Sequence, residues 1–144
     1  MNERQQLIKV MGDNRGASAV EFAIIAPLLL TFLFGIIAFG AYLAVVHGVQ
    51  QLAAEAARSS VAGITNTERS SLAQNYVTAN AGAYPLILPE HLSVSAAPSP
   101  SSENVFVVTL TYDASTMFIY SLPNFFPLPS SNIVRQAAIQ RGGY

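Results

Sequence analysis

The sequence contains no cysteine. A disulfide framework, thiolate catalysis and cysteine-ligated metals are thereby excluded, whereas the compartment stays open, because exported proteins without cysteine are common. Charge is scarce as well. Only 10% of residues are Asp, Glu, Lys or Arg and the net charge is -1, against a usual charged fraction of about 25%. No basic face suited to nucleic acid is therefore expected, and nucleic acid is not a partner. The 2 histidines, His47 and His91, have no ligand spacing between them, so no metal site is expected. Serines cluster in turn-like stretches without a base and an orienting group, and no phosphate-binding glycine loop occurs. Neither catalytic residues nor a cofactor are expected, and an enzyme is not the reading.

Apolar residues, by contrast, are abundant at 51%. From Phe22 to Val46 no charged side chain occurs, and a helix of about 25 residues at about 1.5 Å per residue crosses a hydrocarbon core of about 30 Å. A cleaved secretory signal has a shorter apolar region, about 7–15 residues. Ala38-Phe39-Gly40 nevertheless offers a small-x-small site for one, and an exported domain released there is the alternative. Arg4, Lys9 and Arg15 precede the stretch, while only Arg58 follows it closely. The positive-inside rule then leaves the N-terminus cytoplasmic and the C-terminal part periplasmic or extracellular.

Helical spacing persists past the apolar stretch through Leu43, Val46, Val49, Leu52, Ala53 and Ala56. One helix from Ala17 to near Ser60 is the simplest account, with Pro27 removing one of its hydrogen bonds and loosening a turn. Gly40, Ala44 and Gly48 fall four apart on one stripe, a candidate surface for close helix packing. Thr65-Asn66-Thr67-Glu68 has the form of a capping box opening a second, short helix that runs to Gly82. Tyr84 to Glu90, with Pro85 and Pro89, reads as an irregular connection.

The remainder alternates. Leu92–Ala96, Val105–Tyr112 and Ile133–Gln140 predict an antiparallel sheet of about three strands, with Pro98–Ser102 as a turn. Phe106, Val108, Leu110 and Tyr112 share its apolar face, which calls for cover by helix. Asp113 closes a strand and is expected to bind turn amides. The apolar segment Met117–Pro129, interrupted by three prolines, is expected to fold over the sheet. Alternatively it presents Phe118, Tyr120, Phe125 and Phe126 to a partner or a membrane surface. The fold class is α+β, organised as residues 1–16, a long helix over 17–60, and a domain over 61–144 outside the membrane. Counted from Gln50, the part outside the membrane has roughly 95 residues, which is marginal as an isolated core and draws support from the helix or from neighbours.

Glu21 stands out from the apolar stretch that follows it. A carboxylate at the edge of a membrane span is costly, up to about 2.5–3.5 kcal/mol were it central, so its position calls for a reason. Snorkelling to the cytoplasmic interface is one. The other comes from its spacing: Gly16, then four residues, then Glu21 and Phe22.

This string resembles the type IV prepilin pattern of glycine, four variable residues, glutamate and an aromatic. The fuller run from Arg15 through Ala26-Pro27-Leu28-Leu29-Leu30, with Phe39-Gly40-Ala41-Tyr42 and Ala53 to Arg58, is closer still to the TadE-like minor pseudopilins of the tight-adherence (Tad, or Flp) pilus. TadF proteins share this N-terminal pattern. The resemblance implies that residues 1–16 are a leader, cut between Gly16 and Ala17 by a prepilin peptidase, and that Glu21 neutralises a subunit's new amino terminus during assembly. It also implies other pilins or pseudopilins, Tad assembly proteins and membrane lipid as partners. One departure is visible at Ala38, near which the family often carries an acidic residue. The reading is a structural or assembly subunit anchored in the inner or cytoplasmic membrane. The alternative is an exported or membrane-anchored small binding domain; a tethered hydrolase lacks a site.

Overall fold

The computed structural model describes residues 14–122 and 127–140. Two α-helices precede three strands: α1 (Asn14–Ser59), α2 (Asn66–Asn80), β1 (Leu92–Ser99), β2 (Ser102–Asp113) and β3 (Asn132–Gln140), with 3-10 turns between them. The chain divides into two compact units, Met1–Ile37 and Ala38–Tyr144. The expected α+β class, long apolar helix, short second helix and antiparallel sheet are all present.

In the first unit the described residues belong to α1, which is long and apolar enough to cross a membrane. Its large apolar side chains are exposed: Phe22 is 70% exposed, Ile24 71% and Ile36 72%. Pro27 lies inside the helix without ending it. Proline supplies no amide hydrogen to the preceding turn, and one turn later the Thr31 hydroxyl donates to the Pro27 carbonyl at 2.8 Å.

The second unit is built around the sheet, ordered β1-β2-β3 and antiparallel throughout. Leu92, Val94 and Ala96 of β1 lie opposite Tyr112, Leu110 and Val108 of β2. On the other side of β2, Phe106, Val108 and Tyr112 face Ile139, Ala137 and Ile133 of β3. Because successive strand residues point to opposite faces, this register puts all of these on one face. Phe106, Val108, Leu110 and Tyr112 are buried there. Their neighbours Val107, Thr109 and Thr111 stay half-exposed on the other face.

What covers the inner face is α1 itself. Val45, Val49, Leu52, Ala53, Ala56 and Ala57 are buried in the same core as the sheet residues, along with Ala73, Val77 and Ala81 from α2 and the turn after it. The small side chains at 53, 56 and 57 let the helix axis come close to the strands. Gln50 adds a hydrogen bond to the Gln136 carbonyl of β3 at 3.2 Å. The charge-free stretch Phe22–Val46 is therefore divided between two environments, largely exposed up to Ile37, Gly35 being the one buried residue there, and core-forming from Ala38, which is 2% exposed. Apolarity alone does not mark that division, because lipid and a protein core select the same residues.

α2 begins with the full capping box: the Thr65 hydroxyl accepts from the Glu68 amide at 3.2 Å, and the Glu68 carboxylate accepts from the Thr65 and Ile64 amides at 3.1 and 2.9 Å. Those two backbone donors, Thr65 first, hold the Glu68 carboxyl below its ordinary value. After α2 the connection to β1 turns at Pro85-Leu86, where the Ile87 amide donates to the Tyr84 carbonyl at 3.3 Å. Leu86 has φ 67, in the left-handed region, which a leucine adopts only under constraint. The Tyr112 hydroxyl supplies one, donating to the Leu86 carbonyl and accepting from the Leu88 amide, both at 3.3 Å.

The bend between α1 and α2 depends on one glycine. A Cβ on Gly63 would lie 2.7 Å from the Arg69 amide nitrogen and 3.0 Å from its Cα, both backbone atoms of α2. Gly63→Ala is accordingly expected to push α2 off its seat and destabilise the protein by about 1–3 kcal/mol, the range for overpacking. A thermal melt of the full chain in detergent checks this; an unchanged midpoint would show that the bend yields freely.

Candidate functional site

The described part of the N-terminal motif is entirely helical and exposed. Gly16, Ala17, Glu21 and Phe22 lie on α1, and none of these four is covered by the rest of the protein. A Cβ at Gly16 would meet nothing within 4 Å. No glycine has positive φ among the described residues, so backbone conformation does not require a glycine here either. Within a helix glycine costs about 0.5–1 kcal/mol relative to alanine, and nothing among the described residues offsets that. Ala17 and Glu21 are four apart, hence neighbours on one helix face. Glu21 forms no ion pair among the described residues, where Arg58–Glu55 at 2.8 Å is the one such pair.

The stripe Gly40, Ala44 and Gly48 does not form a single open surface. Gly40 and Ala44 are exposed, and a Cβ on Gly40 would touch nothing within 4 Å. At Gly48 the same atom would lie 3.0 Å from Ile87 Cδ1 and 3.4 Å from Tyr84 Cδ1. The connection after α2 crosses α1 at this point, so Gly48 serves the chain's own packing. Sequence spacing placed the three together; only the path of residues 84–87 separates them.

The apolar segment after β2 covers α1 more than it covers the sheet. Its 3-10 turn, Phe118–Ser121, buries Ile119, and with Leu122 this side chain forms a cluster around Ala38 that also takes in Phe39, Tyr42, Met117, Tyr120 and Leu128. Two tyrosines tie the segment down: Tyr42 donates to the Ser130 carbonyl at 3.0 Å and Tyr120 to the Pro129 carbonyl at 3.3 Å. Among the described residues of the segment, Met117 and Tyr120 also touch the main core, as the expected fold over the sheet requires. The cause lies at the end of β2. Asp113 accepts from the Ser115 amide at 2.9 Å, and the Ala114 amide donates to the Ser131 carbonyl at 2.8 Å, so the segment leaves and re-enters at one end of the sheet. The Ser115 amide holds the Asp113 carboxyl below its usual range, the turn role expected of that residue. Phe118 is 55% exposed and Tyr120 half-buried; Phe125 and Phe126 lie outside the described residues. Ala38, Phe39 and Tyr42 were not singled out from the sequence as partners of this segment. The one signal available was the second tyrosine-containing apolar run so far along the chain.

The two histidines are apart in role. His47 is exposed on α1, whereas the His91 ring lies 6.3 Å from that of Tyr112, tilted by 55°. Among the described residues no group of three or more His, Asp or Glu side chains is placed to hold a metal.

Residues 16–58 match the family model of the TadE-like protein. The match begins at the exposed glycine of α1 and ends at Arg58, one residue before the helix does; it includes neither α2 nor the sheet. No curated protein and no solved structure matches the chain significantly. The resemblance read from Gly16, Glu21, Phe22 and the run behind them is the one that the family model finds.

The two glycines of the stripe should respond differently to substitution. Gly40→Ala is expected to stabilise the helix by up to about 1 kcal/mol, the glycine-to-alanine difference. Gly48→Ala should lose that gain to the displacement of Ile87. Comparing the two melting temperatures tests the assignment, and equal shifts would contradict it.

Proposed function

We propose that this chain is a non-enzymatic, minor pseudopilin-like subunit of a Tad (Flp) pilus, associated with that system through the TadE-like segment at residues 16–58. The observation that carries the proposal is Gly16. It occupies a helix position where nothing among the described residues requires a glycine, and it lies five residues before a lone carboxylate at the head of an exposed apolar helix. A peptidase that needs a small residue at the cut supplies the reason the fold does not. In this reading the prepilin peptidase removes residues 1–16, α1 anchors the subunit with its N-terminus cytoplasmic, and the Ala38–Tyr144 unit meets other pilins and Tad assembly proteins outside. Glu21 neutralises a new amino terminus: Ala17 is one turn away in its own chain, and the amine of a neighbouring subunit is the assembly partner.

The exported-domain alternative is disfavoured by a specific contact. A cut after Gly40 would remove Ala38, which is 2% exposed among Ile119 and Leu122, and would strip the cover from that cluster.

Co-expression with an active prepilin peptidase should shorten the protein by 16 residues, giving Ala17 as the first, and Gly16→Leu should block the cut. Intact mass and N-terminal sequencing read this directly; retention of Met1 alongside an active peptidase would sink the proposal, and a loss of 40 residues would favour signal peptidase.

Glu21→Ala is expected to insert as well as the parent, since removing a charge makes the segment more apolar. Crosslinking to other subunits should fall. Equal crosslinking yields would reduce Glu21 to a carboxylate snorkelling at the interface.

A further inference from the structure

We propose that the segment wrapped around Ala38–Tyr42, with Phe118 at its outer edge, is a lipid-facing collar that sits in the membrane interface where α1 emerges. The inference rests on the reading of α1 as a membrane span and adds where the span ends. With Glu21 at one boundary, the apolar stretch Phe22–Ile37 of the first unit, in which Gly35 alone is buried, is about 16 residues, or roughly 24 Å of helix. A hydrocarbon core is about 30 Å thick. The shortfall is about 6 Å, or four residues, and the lipid therefore reaches the level of Ala38–Ala41, where α1 is already enclosed by Ile119, Leu122 and Tyr120.

The chemistry of the enclosing segment suits that depth. Between Asp113 and Arg135 the sequence carries no charged residue, so lipid contact desolvates no ion there. The hydroxyls of Tyr42 and Tyr120 are already bonded to the carbonyls of Ser130 and Pro129, which meets the requirement that polar groups in lipid be satisfied internally. Phe39, Tyr42, Phe118 and Tyr120 place four aromatic rings at this one level, the residue class enriched where hydrocarbon gives way to headgroups. Phe118 turns 55% of its surface outward beside the half-exposed Met117. In water that exposure is unfavourable; at the interface it is an anchor.

The chain contains no tryptophan, so single reporters can be introduced. Full-length Phe118→Trp, Ser121→Trp and Leu30→Trp proteins would be reconstituted in phosphatidylcholine vesicles whose acyl chains are brominated either near the headgroup or deep, with circular dichroism confirming the helical content of each. The collar predicts blue-shifted emission from the Phe118→Trp or Ser121→Trp reporter, lost more with shallow than with deep bromine. The Leu30→Trp reporter should be quenched more by deep bromine. Quenching at 30 with water-like, unquenched emission at both 118 and 121 overturns the collar and leaves the membrane anchor standing. Blue-shifted but unquenched emission at both overturns it too, since protein rather than lipid then covers the segment. Absence of quenching at 30 removes the anchor itself, and the collar with it.

Discussion

The packing of α1 on the inner face of the sheet is the contact on which the second unit depends. Three strands bury one face only when something apolar lies over it, and a unit of this size cannot generate a second layer from its loops. α1 supplies that layer between Val45 and Ala57, where alanine at 53, 56 and 57 permits close approach and Val45, Val49 and Leu52 fill the space beside Phe106 and Leu110. α2 alone is too short and too polar to replace it: Ala73 and Val77 are its only buried side chains. Removing α1 would strip most of the apolar cover from the sheet face, leaving Ala73, Val77, Ala81 and Ile87.

α1 runs through both units. The helix that carries the exposed residues up to Ile37 is the same continuous element that forms the core from Ala38 onward, with no loop between the two roles. The Ile119 and Leu122 cluster around Ala38 marks the changeover. An acidic side chain at that position, of the kind the TadE-like resemblance leads one to expect nearby, would be buried among these apolar groups without a partner. The alanine found here fits the apolar contact, which accounts for the departure in structural terms.

Much of the architecture was legible because it rests on short-range rules. Alternation identified the strands and the inward set Phe106, Val108, Leu110 and Tyr112; the Thr65 and Glu68 spacing identified the cap of α2; and the glycine, glutamate and phenylalanine spacing identified the motif that the family model matches. The positions that misled are those where a residue's surroundings come from far along the chain. Gly48 was grouped with Gly40 by helical periodicity, yet Ile87 covers it. The segment from Met117 was directed to the sheet by its apolarity; Met117 and Tyr120 do join the core of the sheet, while Ile119 and Leu122 close on α1 around Ala38, the Ala114 amide bonding the Ser131 carbonyl where the segment leaves and re-enters.

The sequence by itself determined the elements, their order, the apolar faces and the N-terminal motif, since propensity, period and spacing are local properties of the chain. Only the tertiary structure decided where the exposed helix ends and the core begins, which glycine of the stripe stays open, and what the apolar segment covers. Those questions concern contacts between residues about 40 to 90 positions apart. An apolar side chain is equally suited to lipid, to a sheet or to another helix, so its chemistry names no partner. The partner is set by the path of the backbone, and here by the Tyr42 hydroxyl, which fastens a distant loop to α1, while the Tyr120 hydroxyl ties that loop to itself.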